Sequence, residues 1–193
     1  MRTTTKSLAV TASLLLVLVL SSAAAGATRN ATPEKWVNVF CGSVVTWEKT
    51  VKTQTTKLNQ TLAGLKSTGK VDIPTAKKKL VGFLTKVVHS TDTMVSQIKA
   101  VGAPNVKNGS KIQSGVVSAF TELRKAFQDA KVTATKLPTG SAKAFSTKAL
   151  ALSTTIQSSA NRIGTAFRAL DKYSTDALNN AAKKDVACQH LGG

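Results

Sequence analysis

From Pro33 onward, apolar residues recur at intervals of three and four, the period of one helix face and not the alternation of a strand. A first segment, Pro33 to Leu65, carries Trp36, Phe40, Val44, Trp47, Val51, Leu58, Leu62 and Leu65 on its stripe. Thr32 followed by Pro33 reads as an N-cap with proline in the first turn. Thr50, Thr53, Thr55 and Thr56 are poor helix formers, so packing has to hold the middle of this segment. A second segment, Pro74 to Val101, places Leu80, Phe83, Leu84, Val87, Thr91, Met94, Ile98 and Val101 on one face. Gly102 and Pro104 then supply a left-handed C-terminal residue and a stop.

A third segment runs from Ser110 to Leu137 with Ile112, Val116, Ala119, Phe120, Leu123, Phe127 and Ala130 in period, and Pro138-Thr139-Gly140 breaks it. A fourth starts at Ser141 and is the longest, through Phe145, Ala149, Leu152, Ile156, Ile163, Phe167, Leu170, Ala177, Leu178 and Ala181. Tyr173-Ser174-Thr175 marks a bend or break before a short last helix that reaches Cys188. Long amphipathic segments with short links predict an all-α fold, an antiparallel up-down-up-down four-helix bundle with a broken or bent fourth helix. That topology brings both chain ends of the bundle to one end. Cys41, about two turns into the first helix, and Cys188, near the end of the last, are then close enough to bond.

The N-terminus has a different pattern. Arg2 and Lys6 precede an apolar run from Leu8 to Leu20, and Ser21-Ser22-Ala23-Ala24-Ala25-Gly26-Ala27 offers small residues for cleavage after Ala25 or Ala27. This is the grammar of a secretory signal, and the run is short for a membrane span, which needs roughly 20 residues. An uncleaved signal anchor is the alternative. No later stretch is apolar enough to span a membrane, and no cysteine follows the boundary to take a lipid. Residues 1–27 read as signal and 28–193 as one helical domain. Removing Arg2 and Lys6 leaves 25 basic against 9 acidic groups, a charge of +16.

Export also decides the reading of the cysteines. Two cysteines in a secreted chain favour one disulfide, Cys41–Cys188. A metal site of Cys41, Cys188 and His190 is the competing reading, weakened by the lack of close-spaced ligand pairs. The two cysteines are too far apart for a C-x-x-C redox motif.

Little else suggests chemistry. The nine acidic residues are scattered, and no Glu-x-x-His pair, C-x-x-C-H haem site or glycine-rich phosphate loop occurs. His89 and Asp92, three apart, can share a hydrogen bond, but a structural role outweighs a catalytic one. The sequence therefore predicts no catalytic residues, no metal and no cofactor. Charge is the remaining signal. Basic residues lie on every predicted helix, and such a field attracts polyanions: wall polymers, anionic lipid head groups, nucleic acid. Specific nucleic-acid recognition normally adds a localised patch or aromatic stacking faces, which this pattern lacks. Lys77, Lys78 and Lys79 form the one dense cluster and are the candidate anion-binding residues. A merely solvating basic surface competes with that reading. Gly82, Gly115 and Gly164 point either to a ligand groove between helices or to close helix packing, the second being favoured.

Val39-Phe40-Cys41-Gly42 with Trp47, then Val101-Gly102-Ala103-Pro104-Asn105-Val106 with Asn108-Gly109, and finally Ala187-Cys188 resemble a group of small exported helical proteins of actinobacteria. The resemblance spans nearly the whole chain after the signal. It implies export and fold, and it carries no established activity. Many members look acidic or neutral, so the basic charge is this chain's own. The expectation is an exported non-enzymatic bundle of the cell envelope or medium that binds anionic wall polymer or lipid head groups. The alternative is a protein-interaction or small-ligand-carrying bundle using a groove between helices.

Overall fold

A computed structural model describes residues 30–67, 72–169 and 171–191. The predicted export signal lies outside the described residues, as do Leu170 and the side chains of Leu62, Leu65, Ile163 and Phe167. The fold is all-helical. Helices α1 (Pro33–Ser67), α2 (Ile73–Val101), α3 (Gly109–Thr135) and α4 (Ala142–Arg168) are followed by a 3-10 turn at Asp171–Tyr173. Two short helices, α5 (Asp176–Lys184) and α6 (Val186–Leu191), then complete the chain. The break in the fourth segment thus falls at the turn that Tyr173-Ser174-Thr175 predicts. There Thr175 caps α5 by accepting from the Leu178 amide.

Packing runs α1 on α2, α2 on α3 and α3 on α4, while α5 and α6 fold back onto α1. The contacts Ser43–Gln97 and Trp47–Thr91 run in opposite senses along α1 and α2, which makes that pair antiparallel. The core gathers Trp36, Val37, Leu84, Val87, Met94, Ile98, Val116, Phe120, Leu123 and Phe127. Trp36 stacks on Phe40 at 5.2 Å. On α4, by contrast, Leu152 is buried whereas Phe145, Ala149 and Ile156 are half-buried. The fourth helix leans on α3 and leaves space on its other side.

Polar pairs fix the register of these faces. The Trp36 indole donates to Gln113 Oε1 at 2.8 Å, and Gln113 donates to the Ile98 carbonyl at 2.5 Å, linking α1, α3 and α2. The Ser43 hydroxyl donates to Gln97 Oε1 at 3.0 Å. The threonines of α1 are accommodated by back-bonding: Thr46, Thr50, Thr56 and Thr61 each donate to the carbonyl four residues earlier. That arrangement satisfies hydroxyls that otherwise compete with helix formation.

The Gly-Ala-Pro turn receives the start of the described chain. Ala31 donates its amide to the Ala103 carbonyl at 2.8 Å and accepts from the Asn105 amide at 2.7 Å. Gly102 takes φ 80° and ψ −168°, not the left-handed helical conformation the sequence predicts but another region essentially restricted to glycine. Asn108 is left-handed at φ 61°. The α-carbon of Gly109 lies so close to Pro104 that a β-carbon there would collide with the proline carbonyl. The turn residues read in the sequence as a stop are therefore also a seat for residues 30–31.

Candidate functional site

The Cys41–Cys188 disulfide is present, with the two α-carbons 5.0 Å apart across a sequence separation of 147. It joins α6 to the third turn of α1. Asp185 supports it from both sides: its carboxylate accepts from Asn38 Nδ2 at 3.0 Å and from the Cys188 amide at 3.0 Å, capping α6. The Asn38 hydrogen bond first, then the Cys188 and Ala187 amides, hold the Asp185 carboxyl below the usual aspartate range. Among the described residues, Cys41, Asp185 and Cys188 form the one cluster with metal-ligand chemistry. Its sulfurs are committed to each other, so the group acts as a capped cross-link. His190 is exposed and outside that cluster.

The lysine cluster is divided by the structure. Lys77 turns toward the end of α3 and donates to the Leu137 carbonyl at 3.0 Å, where the negative end of the α3 dipole favours a cation. Lys78 and Lys79 face the other way, into a groove of about 470 Å³ between α2 and α1. Lys86 from α2 and Lys57 from α1 line the same groove, with Gln54, Gln60 and Thr61 between them and Leu58 and Phe83 beneath. Among the described residues no carboxylate lines it. Gly82 sits midway with open space around its α-carbon, so neither a side chain nor a helix contact fills the centre. The sequence singled out only Lys77, Lys78 and Lys79; the spacing of Lys79 and Lys86 on one face of α2 would have pointed to Lys86, whereas Lys57 of α1 could be assigned only from the fold.

Other candidates resolve into structural roles. The Asp92 carboxylate is engaged by Arg124, Nε to Oδ1 at 2.9 Å, in a clamp between α2 and α3, while His89 is exposed. Gly115 is half-buried, and a β-carbon placed on Gly164 would make only an ordinary contact with Arg168 Nη1, at 3.7 Å.

A second cavity, of about 480 Å³, opens among the four long helices away from the disulfide. Val51 and Leu58 of α1, Leu80, Phe83 and Leu84 of α2, Phe127 of α3, and Phe145, Ala149, Leu152 and Ile156 of α4 wall it. Among the described residues its polar lining consists of Thr55, Ser153 and Gln157, all exposed. These three mark its mouth between α1 and α4, helices that form no extensive packed pair. Leu58 and Phe83 line both this chamber and the lysine groove, and so stand between them.

Together these features define a class, an all-helical, disulfide-closed protein with a cationic groove and an apolar inter-helix chamber. No protein-family model, curated protein or solved structure matches the chain.

Proposed function

We propose that this is an exported, non-enzymatic helical binding protein of the cell envelope or medium that holds anionic surface polymers along the α1–α2 groove. In this reading α1 to α4 form an antiparallel up-down-up-down four-helix bundle, open along the α1–α4 seam and closed at one end by α5 and α6. One observation carries it: Lys57, Lys78, Lys79 and Lys86 face a single groove that no carboxylate among the described residues lines. A net charge of +16 after removal of the signal adds a long-range field that draws polyanions toward the protein. The Cys41–Cys188 bond suits an oxidising compartment, and no helix among the described residues is long and apolar enough to cross a membrane.

Cosedimentation with a phosphate-bearing wall polymer, with anionic vesicles and with a neutral polysaccharide, at rising salt, tests the reading. The expected result is binding to a phosphate-bearing ligand that weakens steeply with salt and falls at least ten-fold when the four groove lysines become glutamine. Absence of binding at low salt, or binding indifferent to those four substitutions, refutes it. The polymer and vesicle arms separate wall polymer from lipid head groups as the source of phosphate. A second reading, a small-ligand-carrying bundle, is favoured by the chamber among the four long helices.

A further inference from the structure

We propose that the chamber binds a single-chain anionic amphiphile of the fatty-acid type, its chain among Phe83, Phe127, Phe145 and Leu152 and its head group at Thr55, Ser153 and Gln157. The inference rests on the second reading, that the chamber carries a ligand, and is independent of the lysine groove. Three features identify the ligand class.

The first is size and lining. A volume of about 480 Å³ lies within the range of about 300–1,000 Å³ typical of small-molecule sites. Its walls are aromatic and aliphatic apart from the mouth, so its depth can solvate hydrocarbon and nothing that needs hydrogen bonds.

The second is the mouth. Thr55, Ser153 and Gln157 are the exposed polar members of an otherwise apolar lining among the described residues, which matches a ligand with one polar end. Leu150, one turn before Ser153 and two before Gln157 on α4, is 70 % exposed. It therefore provides an apolar edge beside the rim, over which a chain can enter.

The third is charge. The two helix stretches that flank the mouth carry cations alone: no acidic residue occurs from Lys49 to Ser67 or from Ala142 to Arg168. Lys52 and Lys143 on these stretches are exposed, whereas Lys148 lines the α3–α4 groove beside Glu122 and Asp129. A carboxylate head at Ser153 and Gln157 gains from this field, whereas a cationic head is repelled.

Titration of the disulfide-bonded protein with cis-parinaric acid, followed by fluorescence and competed with saturated fatty acids and the matching alcohols, tests the assignment. The expected result is saturable uptake at one site and competition that improves about three- to four-fold per added methylene until the chamber is full. Acids should compete at least ten-fold better than alcohols at low salt, with the gap narrowing at high salt. Ala149→Trp, which fills the chamber, should reduce uptake at least ten-fold with an unchanged or higher Tm. Should that variant misfold, Ser153→Phe at the exposed mouth gives the same readout. Replacing Lys78 and Lys79 by glutamine should leave uptake within two-fold, separating this site from polymer binding. Alcohols competing as well as acids would overturn the anionic assignment. Uptake of the neutral probe N-phenyl-1-naphthylamine without uptake of the acid would overturn the ligand class while sparing the carrier reading. Failure of both probes, or full uptake by a folded Ala149→Trp protein, would sink the carrier reading as well.

Discussion

Trp47 donates its indole N–H to the Thr91 hydroxyl at 2.9 Å, and Thr91 donates in turn to the Val87 carbonyl at 2.8 Å. Thr91 is completely buried, so a residue that periodicity assigns to the apolar stripe of α2 is a polar fastener between α1 and α2. A valine there has nearly the same shape and leaves the indole N–H without an acceptor.

Thr91→Val is therefore expected to lower stability by about 1 kcal/mol, the net worth of a part-buried hydrogen bond. Adding Trp47→Phe removes that donor, so the double variant should lose less than the sum of the single changes. Urea unfolding of the four proteins gives the coupling energy; strict additivity would rule out this account of the pair.

Removing the cross-link with Cys41→Ser and Cys188→Ser should cost about 2–5 kcal/mol, because the bond closes a loop with a sequence separation of 147. The loss should be local as well as global. A six-residue helix such as α6 does not persist without its tether. Amide exchange from Val186 to Leu191 should accelerate strongly on reduction, while exchange in the middle of α2 rises far less.

Two glycines should respond in opposite directions. A methyl group at Gly109 meets the Pro104 carbonyl, and Gly109→Ala should destabilise by about 1–3 kcal/mol. At Gly82 nothing lies within 4 Å of the added carbon, so Gly82→Ala should stabilise α2 by about 0.5–1 kcal/mol. Thermal melts of the two variants decide it; equal signs would contradict the packing described.

Asp185 sets an acid-side dependence. Its folded pKa lies below the unfolded value because the charged form accepts from Asn38 and from the Cys188 amide. Its contribution is therefore complete above the unfolded carboxylate range, near pH 4, and is lost as pH falls through the lower folded value. The Tm difference between the parent and Asp185→Asn should be greatest near neutrality and shrink steadily below pH 4. A difference that widens on acidification contradicts this sign.

Neighbouring lysines should separate by readout. Lys77→Met removes the donor to the Leu137 carbonyl and should cost about 1 kcal/mol of stability, with polymer binding changed less than two-fold. Lys78→Gln with Lys79→Gln should change stability by less than about 0.5 kcal/mol and weaken polymer binding several-fold. Paired melts and cosedimentation assays show whether the two functions divide between Lys77 and Lys78.

Helix positions were largely legible in the chain because their causes are local. Thr32 caps α1 through the Lys35 amide, Gly102 adopts the positive φ that ends α2, and the period-3.6 stripes of α2 and α3 coincide with their buried faces. The functional surfaces were less legible because they are made by pairs of helices. The run Lys77-Lys78-Lys79 looks like one cluster in sequence. Successive residues on a helix point about 100° apart, however, so Lys77 reaches the end of α3 while its neighbours meet Lys57 of α1. The chamber left no sequence signal of its own. Phe145, Ala149 and Ile156 carry the same stripe as any core helix, and only the lean of α4 onto α3 leaves space beside them.

Periodicity, capping residues and turn chemistry act over a few neighbouring residues, and from them the sequence alone determined an all-helical chain with a break near Tyr173 and two cysteines suited to pairing. The tertiary structure decided what those elements do to one another. It seats Ala31 on the Gly-Ala-Pro turn, fastens Trp47 to Thr91, and folds α5 and α6 back onto α1 to form the disulfide. It also gathers the lysines of α1 and α2 around one groove and holds α4 away from α1. Those outcomes depend on distances between residues far apart in the chain, which are set by how whole helix faces pack.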